Sequence, residues 1–134
     1  TFLDVANIAV PEAVDGASVL SLAKDAAAPW RKYIDLEHAT CYDADNYWGA
    51  LTDGKIKYIW NFHNGSEQLF DLVNDPKELH NAVHDKKFQK KLTEMRAAMV
   101  EHLSERGDGV VKDGKLVVRQ NTMLYSPNYP KSEE

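Results

Sequence analysis

Apolar and polar positions follow two rhythms along this chain. Between residues 85 and 106 the apolar side chains of Phe88, Leu92, Met95, Met99 and Leu103 recur at spacings of three and four. That spacing gathers them into one stripe of an amphipathic helix. Asp85 is the expected N-cap, and Gly107 supplies the stop. Upstream, from Trp30 to Phe70, the chain is rich in aromatic and β-branched residues separated by turn signals. Strands are predicted around Tyr47 to Leu51, Ile56 to Trp60 and Gln68 to Phe70, with Trp30 to His38 as a fourth. In Lys55-Ile56-Lys57-Tyr58-Ile59-Trp60 the alternation turns Ile56, Tyr58 and Trp60 toward a core and the lysines toward solvent.

The turn residues set the order of pairing. Asp53-Gly54 reads as a tight type I′ hairpin turn, because glycine accepts a positive φ without a Cβ clash, and Asn64-Gly65 repeats the signal. Three consecutive strands therefore form an antiparallel meander. Asp75-Pro76-Lys77-Glu78 has the form of a helix start, with Asp75 as cap, Pro76 at the first helical position and Glu78 at the positive end. Val110-Val111, Asp113-Gly114 and Leu116 to Val118 predict a second, small hairpin, after which the tail from Asn121 is irregular. At the other end, Phe2 to Ile8 reads as the last turns of a helix. Pro11 and Val14-Asp15-Gly16 interrupt the chain, and Ser18 caps a short helix over Val19 to Ala23. The helical stripe is expected to cover the sheet, giving an α+β fold.

Composition narrows the partners. With 134 residues, 43% apolar and 28% charged, the chain suits one folded domain. The net charge of −5 is spread among interspersed acids and bases. Without a one-sided basic face, nucleic acid is not an expected partner. No apolar run reaches the roughly 18 to 20 residues that cross a bilayer, so no membrane partner is expected. The chain opens at Thr1 without methionine, as a piece excised from a longer protein would, which leaves room for a signal peptide upstream. The lone Cys41 has no partner for an internal disulfide and reads as a small buried thiol.

No complete catalytic constellation is visible. His38, His63, His80, His84 and His102 lack metal-type spacing. The His80 and His84 pair would need a helical backbone and a third ligand to bind zinc. Asp71, Asp75 and Glu78 fit a strand end and a cap better than a carboxylate site. Asn64-Gly65-Ser66 matches the N-glycosylation pattern but overlaps the expected turn.

Several segments together carry a resemblance. Leu51 to Trp60, Gly65 to Leu72 and Asp75 to Asn81 resemble the C-terminal subdomain of bacterial arylsulfatase-type enzymes, within the alkaline-phosphatase-like superfamily. The opening Thr1 to Ile8, with Pro11, Val14-Asp15-Gly16 and Ser18, is similar to the segment in which the family's catalytic domain ends. Trp30-Arg31, Glu37-His38, the helix from Met95 to Gly107 and Asp113 to Val117 continue the match in order. Asn7 and Ser21 depart from the family's usual residues and leave the subfamily open.

The resemblance implies a four-stranded antiparallel sheet packed on a long C-terminal helix, with an N-terminal arm left over from a catalytic α/β domain. Residues 1–29 would be that remnant, 30–120 the subdomain and 121–134 the tail. The parent would be a sulfuric ester hydrolase using calcium and a formylglycine made within a Cys/Ser-x-Pro-x-Arg motif. Cys41 is followed by Tyr42-Asp43-Ala44-Asp45, so that motif is absent, as is the family's paired-aspartate metal motif. This piece is expected to close one side of the parent's pocket and to be inactive alone. Glu37 and His38, at the end of a strand, are the candidates for substrate contact. Implied partners are the parent's catalytic domain and its sulfated glycan or aryl sulfate, with self-association of the separated piece through its arm. The implied location is periplasmic or secreted. The alternative reading is a freestanding carbohydrate- or protein-binding module.

Overall fold

The structure, a computed structural model, describes residues 1–14, 16–39, 43–107 and 109–119. Cys41 and the tail from Asn121, read above as a buried thiol and an irregular end, lie outside the described residues. The chain forms two compact units, Thr1–Arg31 and Lys32–Glu134.

The first unit holds two short helices, α1 (Phe2–Val5) and α2 (Leu20–Lys24). Asn7 ends α1 in the left-handed region at φ 55°. Its N–H donates to the Asp4 carbonyl, and that of Ile8 donates to Leu3. This double bond pattern satisfies the helix's last carbonyls, and asparagine tolerates that conformation better than most non-glycine residues. The departure noted at Asn7 thus has a local reason. Ser18 accepts from the Leu20 N–H at 3.3 Å, one residue from its expected role, and Thr1 Oγ1 accepts from Val19. Neither helix buries a residue, and Phe2 is 91% exposed.

The second unit is built on a meander of β1 (Ile34–His38), β2 (Trp48–Thr52), β3 (Ile56–Asn61) and β4 (Glu67–Asp71), each strand antiparallel to its sequence neighbour. A 3-10 turn at Lys86–Phe88 leads into α3 (Gln89–Ser104). The small hairpin is β5 (Val111–Lys112) and β6 (Lys115–Leu116), with Asp113 and Gly114 both at positive φ as a type I′ turn requires. α3 buries Leu92, Met95, Met99 and Leu103. They join Leu51, Ile56, Tyr58 and Leu69 of the sheet in one core, with Phe62, Val83 and Val110.

Three local expectations change. At Asp53-Gly54, and again at Asn64-Gly65, only the glycine takes a positive φ, so neither turn is type I′. Asp53 instead folds its own turn through its carboxylate, which accepts from the Lys55 and Ile56 N–H groups. Asp75-Pro76 opens a turn rather than a helix: Glu78 sits at φ 56°, and the Asp75 carboxylate accepts from the His80 N–H. The Glu78 side chain is used across the sheet, where it takes the Lys57 ammonium at 2.9 Å. Asp85 makes no side-chain cap; its carboxylate pairs with His80, and Gln89 Nε2 donates to the Val83 and Asp85 carbonyls.

A partly buried charge network ties the helix to the sheet. Glu67 on β4 receives both guanidinium arms of Arg96 on α3 and the Tyr58 hydroxyl of β3 at 2.5 Å. Burial alone would raise the Glu67 pKa, but the Arg96 and Tyr58 hydrogen bonds outweigh it and hold it below the usual carboxylate range. Burial and then Glu67 push the Tyr58 phenol far up.

Three outcomes follow. Leu92→Ala should destabilise the second unit by about 2 to 5 kcal/mol in denaturant titration, against little change for the exposed Lys90→Ala. A Cβ on Gly49 would stand 2.8 Å from Cζ of the Phe62 ring, which is itself buried, so Gly49→Ala should cost about 1 to 3 kcal/mol by overpacking. Because the folded Glu67 is more acidic than the unfolded one, its contribution is present above the unfolded pKa and fades as pH falls below about 4.5. Stability measured from pH 7 down to 3 should therefore fall more steeply for the unmodified chain than for Glu67→Gln.

Candidate functional site

Strand alternation decides what the end of β1 can do. Asp35 and Glu37 stand opposite Leu51 and Gly49, on the face covered by α3. Asp35 faces His102 at 3.9 Å, and the Glu37 carboxylate is paired with the Arg106 guanidinium just beyond α3. His38 stands opposite Trp48, on the other face. Neighbours in sequence thus point to opposite sides of the sheet.

The helix-free face carries Ile34, Leu36, His38, Trp48, Ala50, Ile59 and Phe70 in register. Ile34 and Leu36 are 52% and 41% exposed. At its rim the His38 ring stacks on Trp48, with centroids 5.7 Å apart and planes 21° from parallel. Nδ1 of His38 lies 2.7 Å from the Ala39 carbonyl oxygen and 3.0 Å from that of Asn46.

The Asn46 carbonyl is itself held in place. The 3-10 turn Ala44–Asn46 is capped by Asp43, whose carboxylate accepts from the Asp45 N–H. Asn61, buried at the end of β3, donates from Nδ2 to the Asp45 carbonyl and accepts the His63 and Asn64 N–H groups on Oδ1. Asn64 adds a bond from Nδ2 to the Asp45 carboxylate. Sequence reasoning singled out Glu37 and His38 but missed Trp48, Asn61 and Arg106. Trp48 was within reach, since antiparallel pairing of β1 with the next strand in sequence places the start of β2 beside the end of β1; Asn61 and Arg106 act through contacts distant in sequence.

A concavity of about 450 Å³ opens on the helix side, lined by Trp60, Glu67, Arg96, Val100, Lys115 and Leu116. Glu67 and Arg96 saturate each other there, which leaves neither as a free base or a free cation. Among the described residues no group of three or more His, Cys, Asp or Glu is arranged to hold a metal ion. The His80 and His84 segment is not helical, and His80 is turned to Asp85. The residues described do not fit a calcium site, and the sequence lacks the formylglycine motif. Among the described residues no helix is long and apolar enough to cross a membrane.

Comparison with known proteins gives these features a context. The chain is 33% identical over 117 residues to an arylsulfatase of Clostridium perfringens, covering 87% of this chain and 24% of that protein. Its structure is similar to that of BT4656 in complex with its substrate D-glucosamine-2-N,6-O-disulfate, with a TM-score of 0.71 and 25% identity over 81% of this chain and 23% of that one. It is equally similar to BT1596, a 2-O GAG sulfatase, with a TM-score of 0.71 and 26% identity over 100% of this chain and 29% of that one. The chain therefore spans between about a fifth and a third of the length of these relatives. Residues 1–105 match the family model described as N-sulphoglucosamine sulphohydrolase, C-terminal, and the chain belongs to that family of sulfatase C-terminal domains.

Proposed function

We propose that this chain is the C-terminal subdomain of a sulfuric ester hydrolase, that it closes one side of the substrate pocket, and that it is inactive alone. One observation carries this reading: α3 covers one face of the sheet, while the other face keeps Ile34 and Leu36 exposed beside His38 and Trp48. A sheet with apolar residues on both faces calls for a layer on each. Ala50 and Phe70 of that face are already buried, so the part that lacks cover is the β1 edge with Ile34 and Leu36, and the rest of a protein several times longer than this chain would supply it. The exposed Phe2, Val5, Ile8 and Val19 of the first unit fit the same reading as apolar side chains that would pack against the catalytic domain.

Division of labour follows from the residues present. Calcium and formylglycine, held elsewhere in the parent, would supply the nucleophile and the charge stabilisation at sulfur. This chain's own part is to bind and orient. Glu37, through Arg106, fixes β1 to the end of the helix, and His38 is the residue of the pair that faces outward. The substrate class is a sulfated glycan or aryl sulfate, and the sulfated amino sugar bound by BT4656 makes the glycan the first to try. The protein is proposed to be periplasmic or secreted.

Purified alone, the chain is expected to show no turnover of an aryl sulfate or of glucosamine 6-sulfate, with or without calcium. The full-length protein should hydrolyse one of them. Saturable turnover by the chain alone that survives repurification would overturn the reading. In light scattering the isolated chain should associate through its uncovered apolar side chains, and a chain beginning near Pro29 should do so less.

A further inference from the structure

His38 is oriented by two restraints from different parts of the second unit. Both atoms near its Nδ1, the carbonyl oxygens of Ala39 and Asn46, can only accept a hydrogen bond. An unprotonated Nδ1 would press its lone pair against two oxygens, so Nδ1 carries the proton. The stack on Trp48 sets the plane of the ring. In the neutral ring Nε2 is then a bare lone pair, and it has no hydrogen-bond partner among the described residues. The residue is exposed, and it lies on the helix-free face.

A lone pair fixed in this way is selective. It accepts from a group that can donate and repels one that can only accept. A sugar hydroxyl donates, whereas the oxygens of a sulfate ester or a carboxylate do not. Glu37 cannot share the task, because alternation turns it to the other face and Arg106 holds it there.

We propose that His38 is a specificity-determining residue: its Nε2 accepts a hydrogen bond from one free hydroxyl of the sugar and discriminates against a sugar sulfated at that position. The inference rests on the sulfatase reading above for the identity of the ligand, but not for the tautomer. Trp48 and the Asn46 carbonyl are positioning groups that act through His38. The bond from buried Asn61 to the carbonyl of the preceding Asp45 restrains the turn that carries it, so the restraint reaches into the end of the sheet.

Two experiments test the proposal. Nitrogen chemical shifts of 15N-labelled histidine in the chain itself should show His38 with a protonated Nδ1 and a bare Nε2 in the neutral ring; the opposite tautomer overturns the proposal whatever the enzyme does. In the full-length protein, His38→Asn keeps an amide donor near the Nδ1 position and removes Nε2. With a hydroxyl-bearing sulfated glucosamine, that variant should keep the thermal midpoint and kcat while KM rises about 3- to 10-fold, the worth of one neutral hydrogen bond. Scanning singly deoxygenated substrates should find one position whose loss raises KM for the unmodified protein but not for His38→Asn. An unchanged KM for His38→Asn, or no such position, overturns the proposal. Should His38→Asn unfold, the nitrogen shifts still decide. A full-length protein with no sulfatase activity counts against the function proposed above, and the tautomer would still be read from the shifts.

Discussion

A single helix lies over a sheet that has two faces, and most of the molecule follows from that mismatch. α3 places Leu92, Met95, Met99 and Leu103 against Leu51, Ile56, Tyr58 and Leu69, and this one layer of contact holds the core. Because side chains alternate along a strand, every residue spent on that face leaves its neighbour on the other. Ile34, Leu36 and His38 are there for that reason, as are Trp48 and Ile59. The same rule separates Glu37 from His38 and gives two adjacent polar residues unlike tasks.

The polar groups at the helix interface reinforce this layering. Partial burial works against the charge of Glu67, yet two donors from different elements reach it and hold it ionised. Arg96 comes from the helix and Tyr58 from the adjacent strand, so the carboxylate ties three elements together. Lys91 reaches from the helix toward Asp53 at 3.7 Å, beside the turn that the same aspartate organises. Asp53 thus shapes the β2–β3 turn locally and also faces the helix. Asp35 and Glu37 make the corresponding contacts on the other edge of the sheet, with His102 and Arg106.

How much of this was legible in the sequence depended on the range of the interaction. The helical stripe and the strand alternation are short-range patterns, and the four strands and α3 lie where those patterns place them. Turn chemistry was legible in location more than in kind. Gly54 marked its turn, but the work there is done by the Asp53 carboxylate, and Asp75-Pro76 imitated a helix start because an aspartate that caps a helix also folds a turn. Glu78, held at positive φ with its side chain on Lys57, is a tertiary choice that no local pattern announces. At the candidate site the sequence named Glu37 and His38 but not their separation. That required the register, Glu37 opposite Gly49 and His38 opposite Trp48, which is fixed by the whole sheet.

The order of the strands has a kinetic meaning as well. Each strand of the meander pairs only with the strand next to it in sequence, so every pairing closes a short loop rather than a long one. Folds dominated by such local closures form quickly, because little chain entropy is lost before the first contacts repay it. β2, β3 and β4 can assemble around the turns at Asp53-Gly54 and Asn64-Gly65 while α3 is still unpaired. The contacts of α3 with the sheet span longer stretches of chain, as from Glu67 to Arg96, so each closes a larger loop than the strand pairings do.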